Sequence, residues 1–443
     1  MQIAAHTLGC KLNSAETSSI VEGFRAKDWQ ITQSPENADV FLLNTCSVTN
    51  NAEKECRQII RRILRKNPNA FIAVTGCYAQ LRPEEIASID GVDVVLGAKE
   101  KFNFFSHITS FEKLCTPKIF SSPIEEATEF HLSATADTDE RTRAFLKVQD
   151  GCDYNCSFCT IPMARGVSRS AEIEYVLTEA RRLSADGFKE IILSGVNVGD
   201  FGKKIGTSFY ELARAIEEDK DINARIRISS IEPNLLSNEI IELVAASEKF
   251  CPHFHIPLQS GSPKILKLMQ RRYTADLYRS RIEHIKRLMP HAGIGADVIV
   301  GFPNETEDDF LDSYHFIESL DISYLHVFTY SERPDTKAAT MNEIIPVESR
   351  KKRNAILRTL SEKKRKDFYD RQIGQSAQVL LEGNTYEGYS ENYVRVQFET
   401  SQIPENAELV RARFLRTGEE VMSAELLEVL SYQTIDLLLP ILQ

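Results

Sequence analysis

The sequence has no uninterrupted apolar run that approaches the ~18 to 20 residues of a membrane span, so none is expected. Its first residues, Met1-Gln-Ile-Ala-Ala-His, lack the basic segment and following apolar run of a signal peptide, and a cytoplasmic protein is expected. It has no excess of positive charge. There are 53 Lys and Arg against 64 Asp and Glu, a formal net charge of −11. That argues against indiscriminate nucleic-acid binding but leaves room for a local basic face. No Ser–His–Asp or paired-carboxylate arrangement stands out, so hydrolysis is not supported. The nine cysteines do not form an even framework. Six of them fall into two sets of three, which suits metal ligation in a reducing compartment better than disulfides. Composition is otherwise ordinary, with 42 % hydrophobic and 26 % charged residues, and 443 residues allow about two to four domains.

The densest chemistry lies in Gly151–Cys159, Gly-Cys-Asp-Tyr-Asn-Cys-Ser-Phe-Cys. Cys152, Cys156 and Cys159 form a C-x3-C-x2-C array whose thiolates can converge on one metal centre. In a 4Fe-4S cluster, three cysteines leave one of four irons without a protein ligand. A structural zinc site or disulfides are the other readings of this spacing.

The N-terminal segment repeats one pattern. Residues 2–8, 39–44 and 71–75 read as strands, each followed by a cysteine (Cys10, Cys46, Cys77) and a helix. Asn13 with Glu16 resembles a capping box at the first helix start. Three βα units in a row predict a parallel sheet with helices on its faces, and loops at the carboxyl ends of the strands gather on one edge. Cys10, Cys46 and Cys77 should therefore meet, as a second three-cysteine site. Cys56 lies with Ile59, Ile60, Ile63 and Leu64 on the apolar face of a helix and reads as a buried free thiol, as do Cys115 and Cys251. Arg57, Arg61, Arg62, Arg65 and Lys66 give that helix a basic side, either solvated or facing RNA.

Residues 116–140 are polar, with little periodicity, and read as a linker. From residue 141, six strand-like segments alternate with amphipathic helical stretches: 145–149, 191–193, 225–229, 253–257, 296–300 and 325–330. This predicts a partial (βα)6 TIM barrel with its active site at the carboxyl ends of the strands. The cluster loop follows the first of them. Residues 348–371 form a charged helix with ten Lys or Arg between 350 and 371 against three acids. Lys363, Lys364 and Lys366 on it are candidate RNA contacts. After residue 373 the apolar and polar residues alternate, which predicts a small antiparallel β-barrel over 377–382, 393–398, 409–414 and 425–430. The apolar tail 435–442 should pack back on the protein. The domains are thus 1–115, the linker 116–140, 141–372, 373–437 and a tail, 438–443, in an α/β chain.

The Cys152–Cys159 array resembles that of the radical S-adenosylmethionine (SAM) enzymes. With all six cysteines placed, essentially the whole chain resembles the methylthiotransferase family. The C-terminal stretch Glu387-Gly-Tyr-Ser-Glu-Asn-Tyr-Val-Arg-Val is similar to the signature of the small barrel called TRAM. The resemblance implies two 4Fe-4S clusters and two uses of SAM, one as methyl donor and one as source of a 5′-deoxyadenosyl radical. It implies that Phe158 shields the cofactor, and that Ser194, Gly195 and Asn197, Gln259, and Asp297 with Gly301 contact SAM. For Asp297, a buried structural carboxylate is the alternative. Thr7-Leu8-Gly9-Cys10-Lys11-Leu12-Asn13 is similar to the MtaB subgroup, which acts on N6-threonylcarbamoyladenosine next to the anticodon of tRNA, at position 37. The alternatives are MiaB-type modification of isopentenyl-adenosine and RimO-type modification of a ribosomal-protein aspartate. The implied partners are tRNA, an electron donor such as flavodoxin or ferredoxin, and a sulfur source. From Gln375 to Gln443 there are four basic residues against eleven acids, a poor match to phosphate. The 350–371 helix is therefore the preferred RNA path.

Overall fold

The structure, a computed structural model, describes all residues except 47–49, 136–141, 384, 400–402, 419 and 433–443, and it leaves the side chains of 50–53 undescribed. The expected docking of tail 435–442 lies outside the described residues.

The N-terminal domain is one parallel sheet of six strands. In spatial order they are Gln30–Ile31, Gln2–Thr7, Val40–Thr45, Phe71–Gly76, Val94–Leu96 and Lys118–Phe120. Val40–Thr45 and Phe71–Gly76 are buried at every position, as central strands with helices on both faces require. The first strand is followed in space on one side by the second and on the other by the third, so the strand order reverses beside Gln2–Thr7. Such a switch point opens a crevice at the carboxyl ends. Here Cys10 and Cys46 follow the two strands that border it.

The stretch read as a linker is partly built into sheets. Lys118–Phe120 pairs with Val94–Leu96, and Ser133–Ala134 pairs antiparallel with Arg143–Lys147. Edge strands of three and two residues are too short to show periodicity, so pairing alone reveals them. Cys115, expected to be buried, is exposed at the start of this stretch, whereas Cys56 and Cys251 are buried.

The second domain has the six expected parallel strands: Arg143–Lys147, Glu190–Ser194, Arg225–Ile228, His253–His255, Gly293–Val300 and Tyr324–Thr329. They run side by side in chain order, with the bridges Ile226–Phe250 and Ser230–His255 joining the first three to the last three. Helix Val347–Asp370 packs against the last strand, with Leu357 and Leu360 in the core of this domain and Phe368 in the core of the C-terminal one.

The C-terminal domain is a closed barrel of five strands, one more than expected. The extra strand, Glu387–Ser390, is short. Its Gly388 lies so close to its neighbour that a Cβ would sit 2.2 Å from Leu380 O. The barrel docks at the starts of the central strands. Thr142 Oγ1 donates to Leu381 O at 2.9 Å, Arg227 Nη1 to Glu391 O at 3.0 Å, and Asn392 Nδ2 to His291 O at 2.9 Å.

Candidate active site

Two of the three N-terminal cysteines follow a glycine with φ +100°, Gly9 and Gly76. That conformation suits only glycine, and it turns each strand end sharply into a helix start. Cys10 is the N-cap of helix Lys11–Arg25, and Cys77 opens helix Cys77–Leu81. A Cβ on Gly9 would stand 2.8 Å from Cys46 Sγ, so the first two cysteine loops touch. Cys46 and Cys77 are buried and Cys10 is exposed.

The expected capping box does not form. The helix begins at Lys11, which puts Asn13 and Glu16 inside it, both fully buried. Asn13 Nδ2 instead donates to Leu8 O at 2.9 Å and Thr45 O at 3.0 Å, the carbonyls leading into the Cys10 and Cys46 loops. Asn44 Nδ2 holds Asn13 O at 3.0 Å. One side chain thus sets the spacing of two cysteines.

In the barrel, the Cys152–Cys159 loop wraps its sulfurs in hydrogen bonds. Tyr154 N donates to Cys152 Sγ at 3.4 Å, Ile161 N to Cys159 Sγ at 3.5 Å, and Arg271 Nη1 to Cys156 Sγ at 3.1 Å. Arg271 also pairs with Glu232. Burial pushes the Cys152 and Cys159 thiols up to about 12. Thiols so placed become thiolates only beside strong positive charge, such as a bound metal supplies. Arg271 and Glu232 escaped the sequence reading because the link from Arg271 to Cys156 spans 115 residues.

A buried ion cluster joins the two cysteine sites. Arg165 ends the short helix that follows Cys159. Its guanidinium donates to Glu16 Oε1 at 3.0 Å, Asp150 Oδ1 at 2.9 Å and Asn13 Oδ1 at 2.5 Å. Lys101 and Lys147 also reach Glu16, at 2.7 and 3.0 Å. Burial alone would raise Glu16. Arg165, then Lys101 and Lys147, more than offset it and hold the carboxyl well below its usual range. Burial likewise pushes the Cys77 thiol up, and the Arg165 charge opposes it.

The other expected cofactor contacts divide. Ser194 and Gly195 line a cavity of about 370 Å³ that reaches Cys10. Phe158 packs edge-on to Phe302 beside the cluster loop, with ring centroids 6.4 Å apart. Asn197 turns inward, donating to Asp200 Oδ2 at 3.3 Å and accepting from Glu232 N at 3.3 Å. Gln259, at φ +65°, pairs through its backbone with Val298 of strand Gly293–Val300. Asp297 Oδ1 meets His255 Nε2 at 2.9 Å. Gly301 abuts Arg350, where a Cβ would stand 2.3 Å from Cγ, and its amide bonds Glu305. Asn197 and Gly301 thus both make contacts within the scaffold, and Asp297 is bonded to a side chain rather than to backbone. Gln149 was not anticipated. Its Nε2 donates to Gly151 O at 2.8 Å and its Oε1 accepts from Asn197 N at 3.0 Å, which ties the cluster loop to the next one.

The charged helix is less free than its composition implied. Lys364 is buried, and its ammonium donates to Glu318 O and Leu320 O, at 3.1 and 2.7 Å, at the end of helix Glu307–Ser319. This corrects its expected RNA role, because orphan carbonyls at a helix end draw a cation inward. Arg350 and Arg353 are also buried, paired with Glu332 and with Glu305 and Glu307. Lys351, Arg358, Lys363 and Lys366 remain exposed. On the C-terminal barrel, Arg395 and Arg413 pair with Glu387 and Glu425, at 2.7 and 3.0 Å.

Comparison with known proteins agrees with this architecture. Residues 2–97 match a family described as uncharacterized protein family UPF0004, and residues 146–317 match the radical SAM superfamily. The chain is 38% identical to the threonylcarbamoyladenosine tRNA methylthiotransferase MtaB of Bacillus subtilis, over 94% of each chain. It is 37% identical to the protein of the same name from Aquifex aeolicus, over 90% of this chain and 97% of that one. A tRNA-2-methylthio-N(6)-dimethylallyladenosine synthase of Endomicrobium trichonymphae is 33% identical over 86% and 89%. Among solved structures, the radical SAM methyltransferase TsrM of Kitasatospora setae shares the fold, with a TM-score of 0.58 at 14% identity over 76% of this chain and 75% of that one.

Proposed function

The chain belongs to the radical SAM methylthiotransferase family, and from that membership we propose that it adds a methylthio group at C2 of N6-threonylcarbamoyladenosine, at position 37 of tRNA. One observation carries the reading. The cavity that begins at Cys10 in the N-terminal domain ends at Ser194 and Gly195 in the barrel, so the sulfur-presenting site and the SAM-binding loop border one space. Cys152, Cys156 and Cys159 would hold one 4Fe-4S cluster, and Cys10, Cys46 and Cys77 a second. The donor sets fit. All six are cysteines outside any disulfide. Among the described residues, the one set of three ligand atoms within 4.8 Å of one another is His255, Asp297 and His326, so neither triad is gathered as tightly as around a single zinc, where sulfurs stand ~3.8 Å apart. When bound with SAM, the clusters supply the radical that removes the C2 hydrogen and the sulfur that replaces it.

The protein's own part is positional. Asn13 and Gly9 space the N-terminal cysteines, Arg271 holds Cys156, and the Arg165–Glu16 pair fixes one domain against the other. Holding radical and sulfur sources in near-attack geometry is what such a scaffold contributes. Electrons would come from a flavodoxin- or ferredoxin-like donor and sulfur from a separate source. Among the described residues no helix is long and apolar enough to cross a membrane. Mass spectrometry of tRNA nucleosides from cells with and without the protein tests the reading. The 2-methylthio derivative of N6-threonylcarbamoyladenosine should vanish with the gene, and its persistence would reject the assignment.

A further inference from the structure

The cavity has an unusual charge. Its lining includes Lys11, Arg227, His253, His255 and His326, and no Asp or Glu. Lys11 lines it from the N-terminal domain, and its ammonium has no hydrogen-bond or ion-pair partner among the described residues. It stands 6.0 Å from the centre of the Phe145 ring. Arg227 is already held by Glu190, and Glu190 by Arg225 as well, at 2.8 and 2.6 Å. Asp297, behind the lining, is bonded to His255 Nε2 at 2.9 Å. Ser229 and His253 belong to the same lining, with Ser229 Oγ and His253 Nδ1 turned into the protein and closed to solvent. The floor is aromatic, with Tyr393 of the C-terminal barrel stacked on His253 at 4.4 Å between ring centroids.

We propose that Lys11 is the specificity residue of this enzyme, its ammonium pairing with the free carboxylate of the threonylcarbamoyl group on the target adenine. The inference rests on the function proposed above and names the group that reads its substrate. A carboxylate is the ligand that a solitary ammonium in an acid-free cavity takes best, by a charge-assisted hydrogen bond. An apolar dimethylallyl group would leave the Lys11 ammonium desolvated and unpaired, which is how a polar site rejects a hydrocarbon analogue. Lys11 follows Cys10 directly, so reading the carboxylate also fixes the base beside the sulfur-bearing site.

The test uses the cluster-loaded enzyme and two anticodon stem-loop RNAs. One carries N6-threonylcarbamoyladenosine, and the other carries the same group with its carboxylate converted to the primary amide. For the wild type, kcat/KM for methylthiolation should favour the carboxylate RNA by roughly 10- to 100-fold. In Lys11→Gln the ratio should fall to near one, and Lys11→Arg should keep it. A Lys11→Gln variant with normal iron content and the wild-type ratio would overturn the proposal, as would equal loss on both RNAs. The wild-type ratio decides independently of any variant, since a wild type indifferent to the carboxylate also overturns it. A wild type that instead prefers dimethylallyl-bearing RNA would bring down the function itself, a distinguishable result.

Discussion

Glu16 Oε1 accepts a hydrogen bond from Arg165 Nη1 at 3.0 Å, across 149 residues of chain and across the boundary between the N-terminal sheet and the barrel. Each residue sits beside a cysteine site. Glu16 lies in the helix capped by Cys10, and Arg165 lies in the helix after Cys159. Both are buried, with Lys101, Lys147 and Asp150 around them.

Breaking a buried pair leaves uncompensated charge, which costs about 3 to 5 kcal/mol. Glu16→Gln should therefore lower the urea midpoint strongly, whereas Glu22→Gln, which removes the exposed Glu22–Arg25 pair, should cost under about 1 kcal/mol. Similar shifts for the two would reject the structural role of the cluster. The sign with pH follows from the depressed carboxyls. Burial raises Glu16, Asp150 and Glu190, but neighbouring cations outweigh it and leave all three below their usual range. Their stabilisation is complete above the ordinary carboxylate range near pH 4 and is lost as pH falls through and below it. Wild type should lose stability on acidification more steeply than Glu16→Gln.

Iron and sulfide analysis should find two 4Fe-4S clusters in the reconstituted protein and one when Cys152, Cys156 and Cys159 are all Ala. Cys56→Ala should leave the iron count unchanged. Gly9→Ala should lose the N-terminal cluster selectively, because φ +100° and the approach to Cys46 both exclude a Cβ. A triple mutant with no iron would reject two independent sites.

Cys156→Ala should abolish formation of 5′-deoxyadenosine. Cys46→Ala should still form it but make no methylthiolated nucleoside. Chromatography of both products distinguishes the roles, and equal SAM cleavage by the two variants would show them to be misassigned.

Arg271→Gln should move the reduction potential of the barrel cluster to more negative values. The Arg271 hydrogen bond and charge at Cys156 Sγ favour the more negative, reduced cluster. A titration followed by electron paramagnetic resonance measures this, and an unchanged potential with full iron content would deny Arg271 that effect.

Replacing Lys363 and Lys366 with Gln should weaken tRNA binding more than replacing Arg395 and Arg411, and should flatten the salt dependence by about one unit of slope per lost phosphate contact. Lys363 and Lys366 are exposed, whereas Arg395 already pairs with Glu387 and Arg411 lies 3.8 Å from Glu428. Lys364→Gln should act on stability instead, leaving the slope unchanged. Salt-dependent fluorescence titrations separate these cases, and a slope change confined to the Arg395 and Arg411 variant would return RNA binding to the C-terminal barrel.

The central strands of each domain and the Cys152–Cys159 array were legible in the amino-acid sequence, because each depends on spacing within a few residues. Alternation marks a strand, and three thiols within eight residues announce a shared ligand. The partners of Asn13, Glu16, Lys364 and Arg271 were not legible. Asn13 and Glu16 have the spacing of a capping box, and only the helix start at Lys11 turns them into the core. Lys364 belongs by composition to a basic face, and only the end of a neighbouring helix draws it inside. Lys11 is one lysine among many until three domains close a cavity around it. A side chain's hydrogen-bonding and charge partners are set by what lies within a few ångströms in space. In this protein those partners come from positions tens to more than a hundred residues away, so folding alone decides which polar residues brace the scaffold and which face the substrate.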